Sequence, residues 1–311
     1  MKNFELYALT PRTSKLPKVD GLQYLHMSTY SAIMSVKAQK AMALPKSRQQ
    51  ILSAAAMRQA QLEKCMEADP LIICRPQFFI SQEHLPGLVS ANRPLLDRLG
   101  ARLKGKVQYQ ITVNWNEEAV LDKFRDSPEL RGLFKKRQVT PTTLARSTSE
   151  LRKRLVSQIE TQLSRLSDQV IDLPAMPDML FNAVILLARA QIPELDAAVE
   201  AVDDIWTEGF QIKQIGPAPA ASFALLDPKP IDAGEIDAAL KHLDLQRPLD
   251  ESTVARARRE TLLNVPQQAD YTKRCAEIAA AMARAGNGPR LFLCDVSAED
   301  QAALTNLRKV A

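Results

Sequence analysis

The chain has 311 residues, 46% of them hydrophobic and 25% charged, with a formal net charge of +5 and a sequence pI near 9.0. That is the composition of a soluble globular protein of one to three domains, long enough to bury a real core, and it excludes disordered, collagen-like and disulfide-scaffold classes. The mild basic excess permits an acidic partner or nucleic acid without arguing for either.

In chain order, FELYAL (4–9) reads as an opening strand closed by Pro11, and 22–36 as one or two further strands. The basic segment 37–47 reads as a loop. Residues 49–66 form an amphipathic helix with Ile51, Ala55, Leu62, Cys65 and Met66 near one face, ended by Asp69-Pro70. PLIICRPQFFI (70–80) is a buried apolar strand broken by Pro76. Ser81 caps the next helix, whose leucines run from Leu85 to Leu103 with a split at Pro94. Lys104-Gly105-Lys106 reads as a domain boundary.

A second unit opens with VQYQITVNW (107–115), which alternates as a strand does, followed by a helix over 116–125. Residues 126–149 read as an irregular insert, and 150–167 as a long helix striped with Leu151, Leu155, Ile159 and Leu163. MLFNAVILLAR (179–189) is a strand buried on both faces, and Pro193 starts a helix that Gly209 ends. QIKQIGPAPAASFALL (211–226) is a strand interrupted by Gly216, Pro217 and Pro219. Proline donates no ladder hydrogen bond, so this stretch must be an edge or a bulge. Asp227-Pro228-Lys229-Pro230 reads as a second boundary. Beyond it lie helices over 232–243, 250–263 and 270–286, a strand over 290–296 and a Ser297-capped helix. The fold class is α+β: an N-terminal α+β domain (1–104), a ferredoxin-like α+β domain (105–226) and a mostly helical C-terminal extension (227–311).

Chemistry is sparse. The histidines (His26, His84, His242) lie in no metal-ligand spacing, and the cysteines (Cys65, Cys74, Cys275, Cys294) form no CxxC pair. No phosphate-cradling glycine loop, Walker motif or nucleophile elbow occurs. These absences point to no catalytic residue, no metal and no cofactor. Scattered cysteines, no signal-peptide pattern and no apolar run of membrane length point to a reduced, cytoplasmic protein. The densest charge feature is the basic run Arg131, Lys135, Lys136, Arg137, Arg146, Arg152, Lys153 and Arg154. It reads as a solvated surface that can meet an acidic partner. As a nucleic-acid footprint it lacks interleaved aromatics, with only Phe134 among it.

Five segments together resemble one family. LYAL at the N-terminus, PLIICRPQFF after a helix carrying Gln59 to Glu63, KVQYQITVNWNEEAVL, FNAVILLAR and IGPAPAASF are similar, in this order, to segments of the gas vesicle accessory proteins GvpF and GvpL. The likeness covers roughly residues 3–226 and marks 227–311 as an addition. It departs from the family where Ala218 and Ala221 replace aromatics, and Arg75 alone survives from the family's Arg-Phe-Gly-Thr core. The resemblance implies a non-enzymatic protein of gas vesicle assembly that binds the shell protein GvpA, other accessory proteins or both. It gives Gly216, Pro217, Pro219 and Phe223 a structural role. Two rivals stand beside it: a nucleic-acid binder using 131–154, and an enzyme on a ferredoxin-like scaffold.

Overall fold

A computed structural model describes residues 2–38, 47–133, 140–167, 169–176, 178–286 and 290–297. The chain opens with β1 (Asn3–Pro11), β2 (Leu22–His26), β3 (Tyr30–Ala38), α1 (Arg48–Lys64), β4 (Ile72–Cys74), β5 (Phe79–Ser81), α2 (Leu85–Ala91) and α3 (Arg93–Leu103). It continues with β6 (Lys106–Trp115), α4 (Glu117–Lys123), α5 (Pro141–Leu163), β7 (Val170–Asp172), β8 (Met179–Ala188), α6 (Ile192–Asp203) and β9 (Phe210–Ala218). Last come β10 (Leu225–Ile231), α7 (Ala233–His242), α8 (Glu251–Asn264), α9 (Ala269–Ala285) and β11 (Leu291–Ser297). The fold is mixed α+β and divides into two compact units. One runs to Lys104 and resumes at Phe223; the other is Gly105–Ser222.

The first unit is built on a sheet of order β11-β10-β4-β1-β3-β2, with β5 pairing β1 beside β4. β1 is central, and Glu5 through Thr10 are buried without a break. A strand covered on both faces reads as a continuous apolar run, which is why FELYAL does not alternate. The expected strand over 70–80 is two short ones. Between β4 and β5 the chain turns at Gln77 (φ 62°), whose N–H donates to Glu5 Oε1 at 3.0 Å. Ser81 does not cap α2. It belongs to β5, and its Oγ lies 2.7 Å from Nδ1 of His84.

The C-terminal segment does not stand apart as a helical extension. β10 runs parallel to β4 (Leu225↔Ile73, Leu226↔Cys74), and β11 pairs with β10 along its length. The Asp227-Pro228-Lys229-Pro230 stretch is therefore strand, not linker. Its prolines cost no ladder bonds. Pro228 faces Cys294 and Pro230 faces Phe292. The Phe292 carbonyl and the Cys294 N–H turn away from β10 and bond to the side chain of Asn92. The pairs are thus of the non-hydrogen-bonded kind, where a missing N–H goes unnoticed.

Asn92, between α2 and α3, is buried. Its Nδ2 donates to the carbonyls of Leu88 and Phe292, and its Oδ1 accepts from Cys294 N–H, each at 2.8 Å. It occupies the outer side of β11 as a neighbouring strand would. Arg284 of α9 donates to the Ala91 carbonyl through Nε (3.0 Å) and Nη2 (2.8 Å), satisfying an end carbonyl of α2. α7, α8 and α9 share an apolar core with β10, β11 and Ala91 through Leu240, Val254, Ile278, Ile231 and Leu291.

The second unit has the element order strand, helices, strand, strand, helix, strand. Its antiparallel sheet has the order β7-β8-β6-β9. The three-residue β7 was not expected from the sequence. α5 begins at Pro141, nine residues before the expected helix, with Thr140 as its cap accepting from Thr143 N–H. The last nine residues of the supposed insert are therefore helix. Leu151, Leu155, Ile159 and Leu163 are all buried, as a stripe at helical spacing requires. The Ser297-capped helix expected at the end, and Lys135, Lys136 and Arg137, lie outside the described residues.

Candidate interaction surfaces

Among the described residues no group of three or more His, Cys, Asp or Glu side chains is placed to hold a metal ion. Each histidine has a local partner. His26 lies 2.9 Å from Ser31 Oγ, His84 meets Ser81, and His242 meets Thr272 Oγ1 at 2.8 Å with the Tyr271 ring against it. All four cysteines are buried and free. Burial pushes the Cys74 thiol up to about 12, so it stays protonated and unreactive. A groove of about 490 Å³ lies between Leu25–Ser28 and the start of α2. Its wall is mostly apolar, and its titratable groups are His26 and Glu83.

Two of the basic residues on α5 pack inward, while Arg146 and Lys153 are exposed. Arg152 donates to the Met179 carbonyl and stacks over the Trp115 ring at 5.4 Å. Arg154 bonds Glu129 at 2.8 Å and lies over the Phe124 ring at 5.7 Å. Phe124 in turn packs edge-on against Trp206. These two arginines fasten the 124–130 turn and the start of β8 to the helix. Lys153 between them is exposed. A charge run does not say which of its members face inward, and here two of the four on the helix do.

The Gly-Pro-Ala-Pro stretch occupies the end of β9, an outer strand of its sheet. Pairing with β6 is regular to Gln110↔Ile215 and then slips to Gln108↔Ala218. Three steps on β9 match two on β6, which is a bulge. Gly216 lies within it at φ +155°, and a Cβ there would fall 2.5 Å from Cδ1 of Tyr109. Only glycine lets the backbone approach that ring. Past the bulge, Ser222 N–H donates to Gln108 Oε1 at 2.9 Å, and Pro219 and Phe223 are buried. Lys213, Pro217 and the bulge itself are devices that discourage another strand from adding to this edge.

α1 differs most from expectation. Arg58, at its middle, meets Glu5 at 3.3 Å, donates to the Cys74 carbonyl at 2.6 Å and lies over the Tyr7 ring at 4.8 Å. Burial lowers the guanidinium pKa, and Glu5 opposes that by favouring the charged form. Leu62 and Cys65 are buried. The half before Arg58 is not: Ile51 is 39% exposed and Leu52 44%.

The family model for gas vesicle synthesis protein GvpL/GvpF matches residues 6–224. The chain belongs to the GvpL/GvpF family. Two solved structures share its fold. The gas vesicle protein GvpF from Anabaena is 17% identical with a TM-score of 0.55, covering 71% of this chain and 94% of that one. GvpF from Microcystis aeruginosa is 20% identical with a TM-score of 0.52, covering 71% and 98%. No protein of curated function matches. In this GvpL/GvpF chain the family match ends just before β10, so α7–α9 and β11 lie beyond it. Among the described residues no helix is long and apolar enough to cross a membrane.

Proposed function

We propose that this GvpL/GvpF protein is a non-enzymatic accessory factor of gas vesicle assembly, acting in the cytoplasm and at the vesicle, that binds the shell protein GvpA, other accessory proteins or both. The observation that carries this reading is the family match over residues 6–224. The physical rationale is that a shell subunit polymerising through apolar surface needs that surface managed before incorporation. We read the second unit as ferredoxin-like on its strand order. The local partners of the histidines and the burial of the cysteines support a binding role over a catalytic one. Arg152 and Arg154 are spent on internal contacts, which weighs against a nucleic-acid footprint on α5.

The test is co-expression with the shell protein and with each accessory protein, followed by capture at low and high salt, with a gene deletion in parallel. Capture that survives moderate salt, and loss of vesicles on deletion, are expected from an interface with an apolar centre. Normal vesicles in the deletion strain, together with no captured component, would overturn the proposal.

A further inference from the structure

We infer that the outer edge of β2, with the groove beside it, takes up an extended segment of a gas vesicle protein partner as an added strand; this rests on the assembly role proposed above. The pairing of β2 with β3 decides which backbone groups are open. Val36 N–H donates to the Gly21 carbonyl and Met27 N–H to the Tyr30 carbonyl, both at 2.9 Å. Along a regular register, Gly21, Gln23, Leu25 and Met27 therefore turn their backbone groups toward β3, and Leu22, Tyr24 and His26 turn theirs outward. Leu22 N–H is used by the Val19 carbonyl at 3.2 Å. Among the described residues the outward N–H and C=O groups of Tyr24 and His26 have no partner. Other outer strands are defended: β11 is capped by Asn92, and β9 carries Lys213, a bulge and Pro217. β2 has no bulge in its register, and no proline, lysine or carboxylate from Leu22 to Met27. An undefended edge is a template for another chain.

The groove selects the occupant. Tyr24 turns its ring to the side where α1 ends, with its hydroxyl on the Pro17 carbonyl at 2.5 Å and Cys65 beside it. Leu25 and Met27 alternate with Tyr24 and turn to the α2 side, where they line the groove with Pro86 and Val89. A strand laid along Tyr24 and His26 thus sends every second side chain into an apolar groove. Glu83 also lines it and has no ion-pair partner among the described residues. Arg12 reaches this end of β2, but it donates to the Met27 carbonyl. The segment that fits is therefore apolar at alternate positions and carries Lys or Arg where it passes Glu83. Main-chain bonds to an edge, with room for alternate side chains, are how strand addition works. A partner helix fits less well, because its backbone groups are already spent within it. So does a second copy pairing β2 on β2. Centred on Tyr24, that pairing needs the Leu22 N–H, which is taken, and β2 brings no cation to Glu83.

The test compares His26→Pro with His26→Ala in the full chain co-expressed with the gas vesicle proteins. Both lose the ring and its contact with Ser31. Only proline also removes the outward N–H, and at this position it costs the β2–β3 ladder no bond. His26→Pro should weaken capture by more than about tenfold and His26→Ala by less than about threefold, the difference expected for one ladder bond and its neighbour. Their thermal midpoints should agree within about 3 °C. Glu83→Lys should weaken capture in a salt-dependent way. Hydrogen exchange on the captured wild-type complex needs no variant. The Tyr24 and His26 amides, fast in the free protein, should slow by more than about tenfold. The photo-crosslinker benzoyl-phenylalanine at Gln82, in the groove wall, should join the captured partner. Equal loss of capture in both His26 variants would overturn strand addition. So would unchanged exchange at Tyr24 and His26 in the complex, or Gln82 adducts only to a second copy or to residues 298–311. Capture unchanged in His26→Pro refutes it and leaves the assembly role standing. No capture by wild type, with normal vesicles on deletion, removes both.

Discussion

Replacing Asn92 by leucine isolates the side chain that stands where β11 would otherwise meet another strand. Leucine keeps the branching at Cγ, is somewhat bulkier, and removes three hydrogen bonds of 2.8 Å. The Leu88 carbonyl keeps the backbone bond from Asn92 N–H, so it is not orphaned. The Phe292 carbonyl and Cys294 N–H are. Each buried group left without a partner costs roughly 1–3 kcal/mol, about 4 in all, and the added apolar burial returns roughly 1–2. The expected net loss is about 2–3 kcal/mol, or roughly 5–10 °C in midpoint for a unit of this size. Denaturant unfolding measures the loss, and hydrogen exchange should show faster exchange along β11, led by Cys294. Asn92→Asp keeps the acceptor for Cys294 N–H but turns a carboxylate oxygen toward two carbonyls in a buried site. That raises its folded pKa, so the variant should be worse than leucine near neutral pH. It should recover as pH falls through the raised value, where the carboxyl can donate. If Asn92→Leu unfolds within about 0.5 kcal/mol of wild type and exchange at Cys294 is unchanged, the edge-capping account is wrong.

Gly216→Ala should destabilise the second unit by about 2 kcal/mol or more, because the new methyl meets the Tyr109 ring; thermal unfolding reads this. Truncation after Leu226 removes most of β10 and all of β11, and should leave the first unit insoluble or without a cooperative transition in calorimetry. Arg154→Met should destabilise the second unit measurably through loss of the Glu129 and Phe124 contacts, whereas Lys153→Glu should stay within about 0.5 kcal/mol. Burial works to raise the Glu129 carboxyl, but its own backbone N–H, Arg154 and Ser127 overcome this and hold it below the usual value. Its stabilising contribution is therefore present above the ordinary glutamate range and is lost as pH falls through the lowered value. Glu129→Gln should flatten that part of a stability-versus-pH curve.

Where one element alone decides its own pattern, the sequence could be read. VQYQITVNW alternates because one face of β6 is core and the other is polar, with Gln110 and Thr112 bonding Asn182. The Leu151 stripe and the apolar run of β8 were readable for the same reason. What depends on a distant partner was not. Two prolines in β10 look like a linker until the pairing with β11 shows that they need no N–H. The apolar stripe of α1 has the right spacing along its length, yet spacing cannot say that only half of it lies on a sheet. Of the candidate site, the glycine's need for a bulge was readable, but the Tyr109 ring against it was not. Arg152 and Arg154 looked like surface charge because nothing in their own helix names Trp115 or Phe124, which lie earlier in the chain.

The strand that flanks β4 is made some 150 residues after β4 itself. On the ribosome, β1 to β5 and the first three helices emerge with one side of β4 bare and its Ile72, Ile73 and Cys74 waiting. Gly105–Ser222 can meanwhile complete its own sheet from contiguous chain. Domains fold as units during synthesis, and unpaired strand edges in waiting intermediates invite misassociation. Translation speed through 105–222, and chaperones acting in that interval, are thus expected to govern the yield of this protein in a way that they would not for a chain whose first domain closes on itself.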